Sequence, residues 1–287
     1  RASIQTGFRN PSTQDQYIGL DAGAGILIGT APDNIDRYRS LPFSLGINQG
    51  LAGYLNAVGG TNIGSTQVLT GDMAYNNSWS ASSIGAFLAS GNPADLKKSN
   101  IDFVKPEFVT AYEVGYRGVI EGFTLDVSAY FNMYNDFIAS RNAVAPLYGS
   151  VALNDAVDIA PAFGSPVPMP TPVALIALQS GDFKGVAFDS NSDSDISSYG
   201  LGIGVSKKVF DGFNLGVNYT YAKFEETGGS NPDFEAGFNT PEHKVKVQFG
   251  KEKLFKNLGF NVNYRWQDSF LWESSFYDGM VAARSVV

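Results

Sequence analysis

From Phe123 to Met133 apolar and polar positions alternate without a miss. Phe123, Leu125, Val127, Ala129, Phe131 and Met133 stand against Thr124, Asp126, Ser128, Tyr130 and Asn132. A tilted β-strand needs about 9–11 residues to cross a bilayer, and this run is of that length. The pattern returns over 215–222, 244–250 and 260–267. Seven runs read as strands, over about 1–10, 108–118, 122–138, 197–210, 214–226, 242–251 and 257–273, and 281–287 begins an eighth. Neighbours on a strand face opposite sides. Leu125, Val127, Val247, Val262 and Tyr264 are therefore expected to meet lipid, and Asp126, Ser128, Lys246, Asn261 and Arg265 to meet a watery lumen.

The connections sort by length. Short ones at 118–122, 211–214 and 252–257 alternate with long ones at 11–105, 140–195 and 227–241. Outer-membrane barrels have short periplasmic turns and long extracellular loops, whereas a soluble sandwich has no reason to sort its connections. The expected fold class is all-β: a section, about eight strands, of a large antiparallel transmembrane β-barrel. Residues 1–287 are expected to be one partial barrel domain, with long extracellular loops at about 11–105 and 140–195. Both ends fall inside alternating runs and would leave unpaired edges. The expectation is a piece of a longer protein, with any plug and the final strands outside it.

Composition narrows the function classes. The net charge of -8 and pI near 4.7 argue against a nucleic-acid partner, which would need a basic patch for phosphates. A hydrophobic fraction of 44% and mean hydropathy of -0.08 suit a soluble protein equally well, because alternation hides a barrel's apolar band. No stretch approaches the ~20 apolar residues of a membrane helix. With no cysteine and one histidine, thiolate sites and Ser-His or Cys-His catalysis lack raw material. The expectation is a protein that is not an enzyme. Aromatics near strand ends, Tyr134, Phe137, Trp266, Phe270 and Trp272, are expected to form interfacial belts.

Asp189, Asn191, Asp193 and Asp195 fall at every second position, as at the opening of a calcium loop. Ser194 replaces that loop's glycine, and Gly200 stands where its bidentate glutamate belongs. These four are the candidate calcium ligands and calcium the one candidate cofactor; a solvated extracellular loop is the competing reading. His243 reads as a rim residue, Glu225-Glu226 as solubilising charge, and Glu113 with Arg117 as a lumen pair. Lys207, Lys208, Lys251, Lys253 and Lys256 read as solvated turn residues. The five prolines from Pro161 to Pro172 predict a stiff, extended loop. Tyr75, Asn76, Asn77 and Trp79 combine aromatic and amide groups suited to a sugar or peptide, and are equally ordinary in an exposed loop.

Several pieces resemble TonB-dependent outer-membrane receptors in order and spacing. They are Gly7-Phe8-Arg9-Asn10-Pro11-Ser12, Lys105-Pro106-Glu107, Tyr112-Glu113-Val114-Gly115-Tyr116-Arg117 and Tyr134-Asn135-Asp136-Phe137-Ile138. Tyr219-Thr220-Tyr221 and Thr240-Pro241-Glu242-His243 continue the series, while Gln14 to Asp21 resembles the subclass with an N-terminal carboxypeptidase-regulatory-like domain. The resemblance implies a barrel of about 22 strands holding an N-terminal plug. It also implies nutrient uptake across a Gram-negative outer membrane, energised by the TonB complex through an N-terminal region. The alternative is a barrel subunit of a larger assembly, whose loops bind an outer-membrane protein or lipoprotein. Lipid is a partner in either case.

Overall fold

In the computed structural model, eight strands form one sheet in chain order, each antiparallel to the next. They are β1 (Ala2–Arg9), β2 (Glu107–Ile120), β3 (Phe123–Asn135), β4 (Asp195–Val209), β5 (Phe213–Thr227), β6 (His243–Phe255), β7 (Leu258–Gln267) and β8 (Arg284–Val286). The structure describes all residues except 24, 43–48, 65, 67, 228–231 and 275–277. The sheet is an up-and-down section of barrel wall, and among the described residues β1 and β8 do not pair to close it.

Register confirms the alternation. One row across β2 to β7 reads Arg117, Asp126, Gly204, Asn218, Lys246, Arg265; the row beside it reads Tyr116, Val127, Ile203, Tyr219, Val245, Trp266. Six strands thus agree on which face is apolar, and a one-residue slip in any of them would break the agreement. The apolar face carries exposed Val114, Tyr116, Val217 and Val262, as lipid contact requires. Glu121 and Gly122 close the β2–β3 hairpin with φ of 50° and 78°, the two left-handed positions of a type I′ turn.

Two aromatic belts bound the apolar face. Tyr112, Phe131, Tyr199 and Tyr221 succeed one another at 6.2–6.5 Å near the long-loop end. Phe213, Phe249 and Phe260 cluster at the turn end, where Phe213 and Phe249 stack at 5.2 Å. Lys207 lies 3.8 Å over the Phe123 ring and Lys251 4.7 Å over Phe213, so two of the turn lysines snorkel at the interface. Tyr199 and Val209, the partner of Phe213, are ten steps apart on β4. That is about 33 Å of strand, or about 25 Å at a tilt of about 40°, the height of a barrel's apolar band.

The long connections are folded. Among the described residues the segment 11–105 carries five α-helices, Thr13–Tyr17, Pro32–Arg37, Gln49–Gly59, Gly71–Asn76 and Ala81–Ser90, and 140–195 carries the α-helix Val173–Ser180. Their strands build a second sheet in the order Phe234–Glu235, Ile138–Pro146, Phe183–Asn191, Ile26–Gly29, Gly19–Asp21, and Trp79–Ser80 also pairs with Ile138–Pro146. Phe183–Asn191 and Ile26–Gly29 run parallel, a departure from the antiparallel rule of the wall.

This cap holds the hydrophobic core. One cluster joins Ile26, Ile28, Leu69, Val186 and Phe188; another joins Trp79, Ile84, Phe87, Leu175 and Leu178; a third joins Leu55, Leu147, Tyr148 and Ile176. Each fully buried aliphatic or aromatic side chain stabilises the cap by about 1.5–3 kcal/mol. Val173–Ser180 is apolar on nearly every side and correspondingly buried.

Two expected strands are shorter than their sequence pattern. The run 122–138 breaks at Asp136, whose φ is 53°, and Ile138 enters the cap sheet instead. The run 257–273 stops at Gln267, after which Phe270–Trp272 pairs with Gly279–Val281 in a separate hairpin.

Candidate functional site

The polar face of the wall is continuous from the turn end to the cap. Arg117 pairs with Asp126 at 3.7 Å and Ser3 donates to Glu113 at 3.4 Å, so Glu113 and Arg117 do sit in a lumen-side polar network. Gly200, Gly202 and Gly204 share this face. A methyl group at Gly200 would stand 2.5 Å from the Tyr130 ring, so the glycine lets that ring lie flat along the wall.

At the cap end the same face turns aromatic. Tyr134 meets Phe137 at 5.3 Å, and Phe137 touches Phe224 at 5.9 Å and Phe234 at 6.2 Å. Phe224 in turn touches Phe238 at 5.3 Å. Tyr134 and Phe137, expected in a lipid belt, belong to this inner cluster: Tyr134 shares the polar-face parity of Asp126 and Ser128, and Phe137 lies past the end of β3. A cavity of about 440 Å³ opens beside it, between the upper ends of β5 and β6 and the segment around Asp268 to Glu273.

The four candidate calcium ligands are dispersed. Asp189 lies within the strand Phe183–Asn191, half-buried. Burial first, then Asp15, pushes its carboxyl up to about 6, against the opposing pull of Arg9. Asn191 accepts from the Lys105 N–H at 2.7 Å and donates to the carbonyls of Lys105 and Asp136 at 3.0 and 2.5 Å, so its amide is fully used in joining three chain segments. Asp193 pairs at 2.7 Å with the buried guanidinium of Arg141, and Asp195 opens β4. Among the described residues no group of three or more His, Cys, Asp or Glu side chains is placed to hold a metal ion. Asp189 and Asn191 lie on one strand, Asp193 in the bend after it and Asp195 at the start of the next.

The other candidates are also accounted for by local structure. Trp79 is fully buried and donates from Nε1 to the Val151 carbonyl at 3.2 Å, Asn77 caps Gly149 and Val151, and Tyr75 stacks on Phe103 at 5.1 Å. They are cap framework, not a ligand platform. His243 Nδ1 lies 2.8 Å from the Tyr219 hydroxyl. Glu225 accepts from Tyr199 and pairs with Lys223 at 3.3 Å, while Glu226 accepts from Ser194. The proline-rich stretch folds back on itself: Pro170–Pro172 pairs with Ala156–Asp158. The Asp158 carboxylate takes the N–H groups of Met169 and Ala160, which hold it below the usual carboxylate range.

An antiparallel wall with one lipid face, one polar face, two aromatic belts and a folded cap defines the class: a section of a transmembrane β-barrel. The chain belongs to the TonB dependent receptor-like, beta-barrel family, whose model matches residues 1–280. Membership places it in the Gram-negative outer membrane, in TonB-dependent transport, with the TonB complex as partner. Neither the curated proteins nor the solved structures compared with the chain give a match.

Proposed function

We propose that this wall and cap belong to a receptor that captures a nutrient at its extracellular mouth and passes it along a lumen gated by a plug. The observation that carries this is the unbroken polar face running from the mouth cavity to the turn end. In the complete receptor about 22 strands would close around the plug. The chemistry assigned is binding and passage, with no bond-making step and no cofactor. The cap's order has its own cause in an internal core, so an assembly subunit whose loops order on a lipoprotein gains no support from it. The test is uptake in a deletion strain. The full gene should restore it, and a gene lacking the TonB-contacting segment should not. Restoration by both would overturn energised transport.

A further inference from the structure

The mouth cavity has a one-sided chemistry. Phe224, Phe234, Phe238 and Phe270 line it together with the carboxylates of Glu226, Glu242, Asp268 and Glu273, and no lysine, arginine or histidine is among its described lining. Its rim carboxylates are held by neutral donors. Glu273 accepts from the Gly237 N–H at 3.0 Å, Asp268 from the Ser269 N–H at 2.7 Å, and Glu226 from the Ser194 hydroxyl. None of the ion pairs among described residues involves Glu242, Asp268 or Glu273. These three carboxylates thus face the cavity beside phenylalanine rings with no ion-pair partner among the described residues. Glu273 also adds to the upward push on the nearby Glu235 carboxyl, which burial raises first, against the hydrogen bond from Asn142, with Asp278 as a further contributor.

We propose that this cavity binds an organic cation, an ammonium or guanidinium group on an apolar body, and thereby sets the substrate class of the transport proposed above. Ring faces attract a cation within about 6 Å of the centroid, and a guanidinium can also meet a carboxylate with two parallel hydrogen bonds. Phe224 and Phe238, 5.3 Å apart and tilted by 31°, supply the apolar wall for the body of such a ligand. An anion would meet carboxylates on the cavity lining and no lysine, arginine or histidine among its described residues. A bare divalent cation fits poorly, because no three carboxylates converge among the described residues and the rings offer it no oxygen ligands.

The test is calorimetry on the complete receptor in detergent, with phenethylammonium, 3-phenylpropionate and calcium chloride as probes. Saturable binding of phenethylammonium, with none of 3-phenylpropionate and no displacement by calcium, is the expected result. Affinity should fall about tenfold in Phe238→Leu and in the double variant Glu242→Gln with Asp268→Asn, each checked for an assembled, heat-resistant barrel. Equal binding of the anionic probe, displacement by calcium, or unchanged affinity in an assembled double variant would overturn the proposal. Should a variant fail to assemble, the comparison of probes on the unaltered receptor decides alone. Binding requires no TonB energy. Cation binding without energised uptake would sink the transport reading and leave the cavity; energised uptake with no cation binding would do the reverse.

Discussion

Asn191 carries more of the architecture than its place in an acidic run suggests. Its three hydrogen bonds tie the entry to β2, the exit from β3 and the cap strand Phe183–Asn191 into one knot. Asn191→Asp would set a carboxylate oxygen against two carbonyls, and Asn191→Ala would leave those buried groups unpaired. Costs of about 2–4 and 1–3 kcal/mol are expected, read as faster hydrogen exchange across the cap–wall junction. Asp189 makes the complementary case. Its carboxyl titrates near 6 in the fold against 3.8 in a free chain, so between those values the folded state binds the extra proton. The contribution of Asp189 to cap stability should be greatest below about pH 4 and fall by about 3 kcal/mol as pH rises through 6. Asp189→Asn should flatten that dependence. Exchange protection of residues 183–191 at pH 4.5 and 7.5 is the measurement, and protection that rises with pH would contradict it.

At the scale of single elements, depth in the membrane decides tolerance. Val262 faces lipid as its alternation predicts, but it pairs with Phe249 of the lower belt and so lies near the interface. Val217, between Val205 and Val247, lies midway. Val217→Arg should cost about 2–4 kcal/mol, Val262→Arg about 0–1, and Asn218→Arg little, because it faces the lumen. Heat-resistant, assembled barrel is the readout, and equal tolerance at Val217 and Asn218 would refute the face assignment. The wall strands were legible because each has one lipid and one watery face, which forces period two. The cap elements were not. Ile26–Gly29 is buried on both faces and shows an apolar run without alternation. Ala81–Ser90 buries Ile84 and Phe87 but otherwise consists mostly of small residues, so its apolar face is short. The acidic run at 189–195 was open to two readings for the same reason: a spacing of two describes a strand face as well as a ligand loop.

For the molecule as a whole, the wall and the cap rest on different forces. The wall is held by ladders and lipid, the cap by its own apolar core. Replacing 11–105 with a short turn should leave an SDS-resistant barrel, since β1 and β2 already pair from Ala2 to Arg9. It should also expose 138–191 to protease, because Val186 and Phe188 lose Ile26, Ile28 and Leu69. A barrel that failed to assemble would show that the cap is needed to build the wall.

Alternation and the sorting of turns from loops were enough to specify eight wall strands, their pairing in chain order and their lipid face, because those features depend on neighbours two residues apart and on local turn chemistry; the family was legible only through the resemblance of its sequence motifs. Whether the long connections were ordered, and what they enclosed, depended on contacts between residues from about 50 to 160 positions apart. The parallel pairing of Ile26–Gly29 with Phe183–Asn191, the knot at Asn191 and the phenylalanine-and-carboxylate cavity at the mouth exist only once those distant segments meet. No periodicity along the chain encodes such meetings, since burial on every side erases the contrast between faces that a pattern needs.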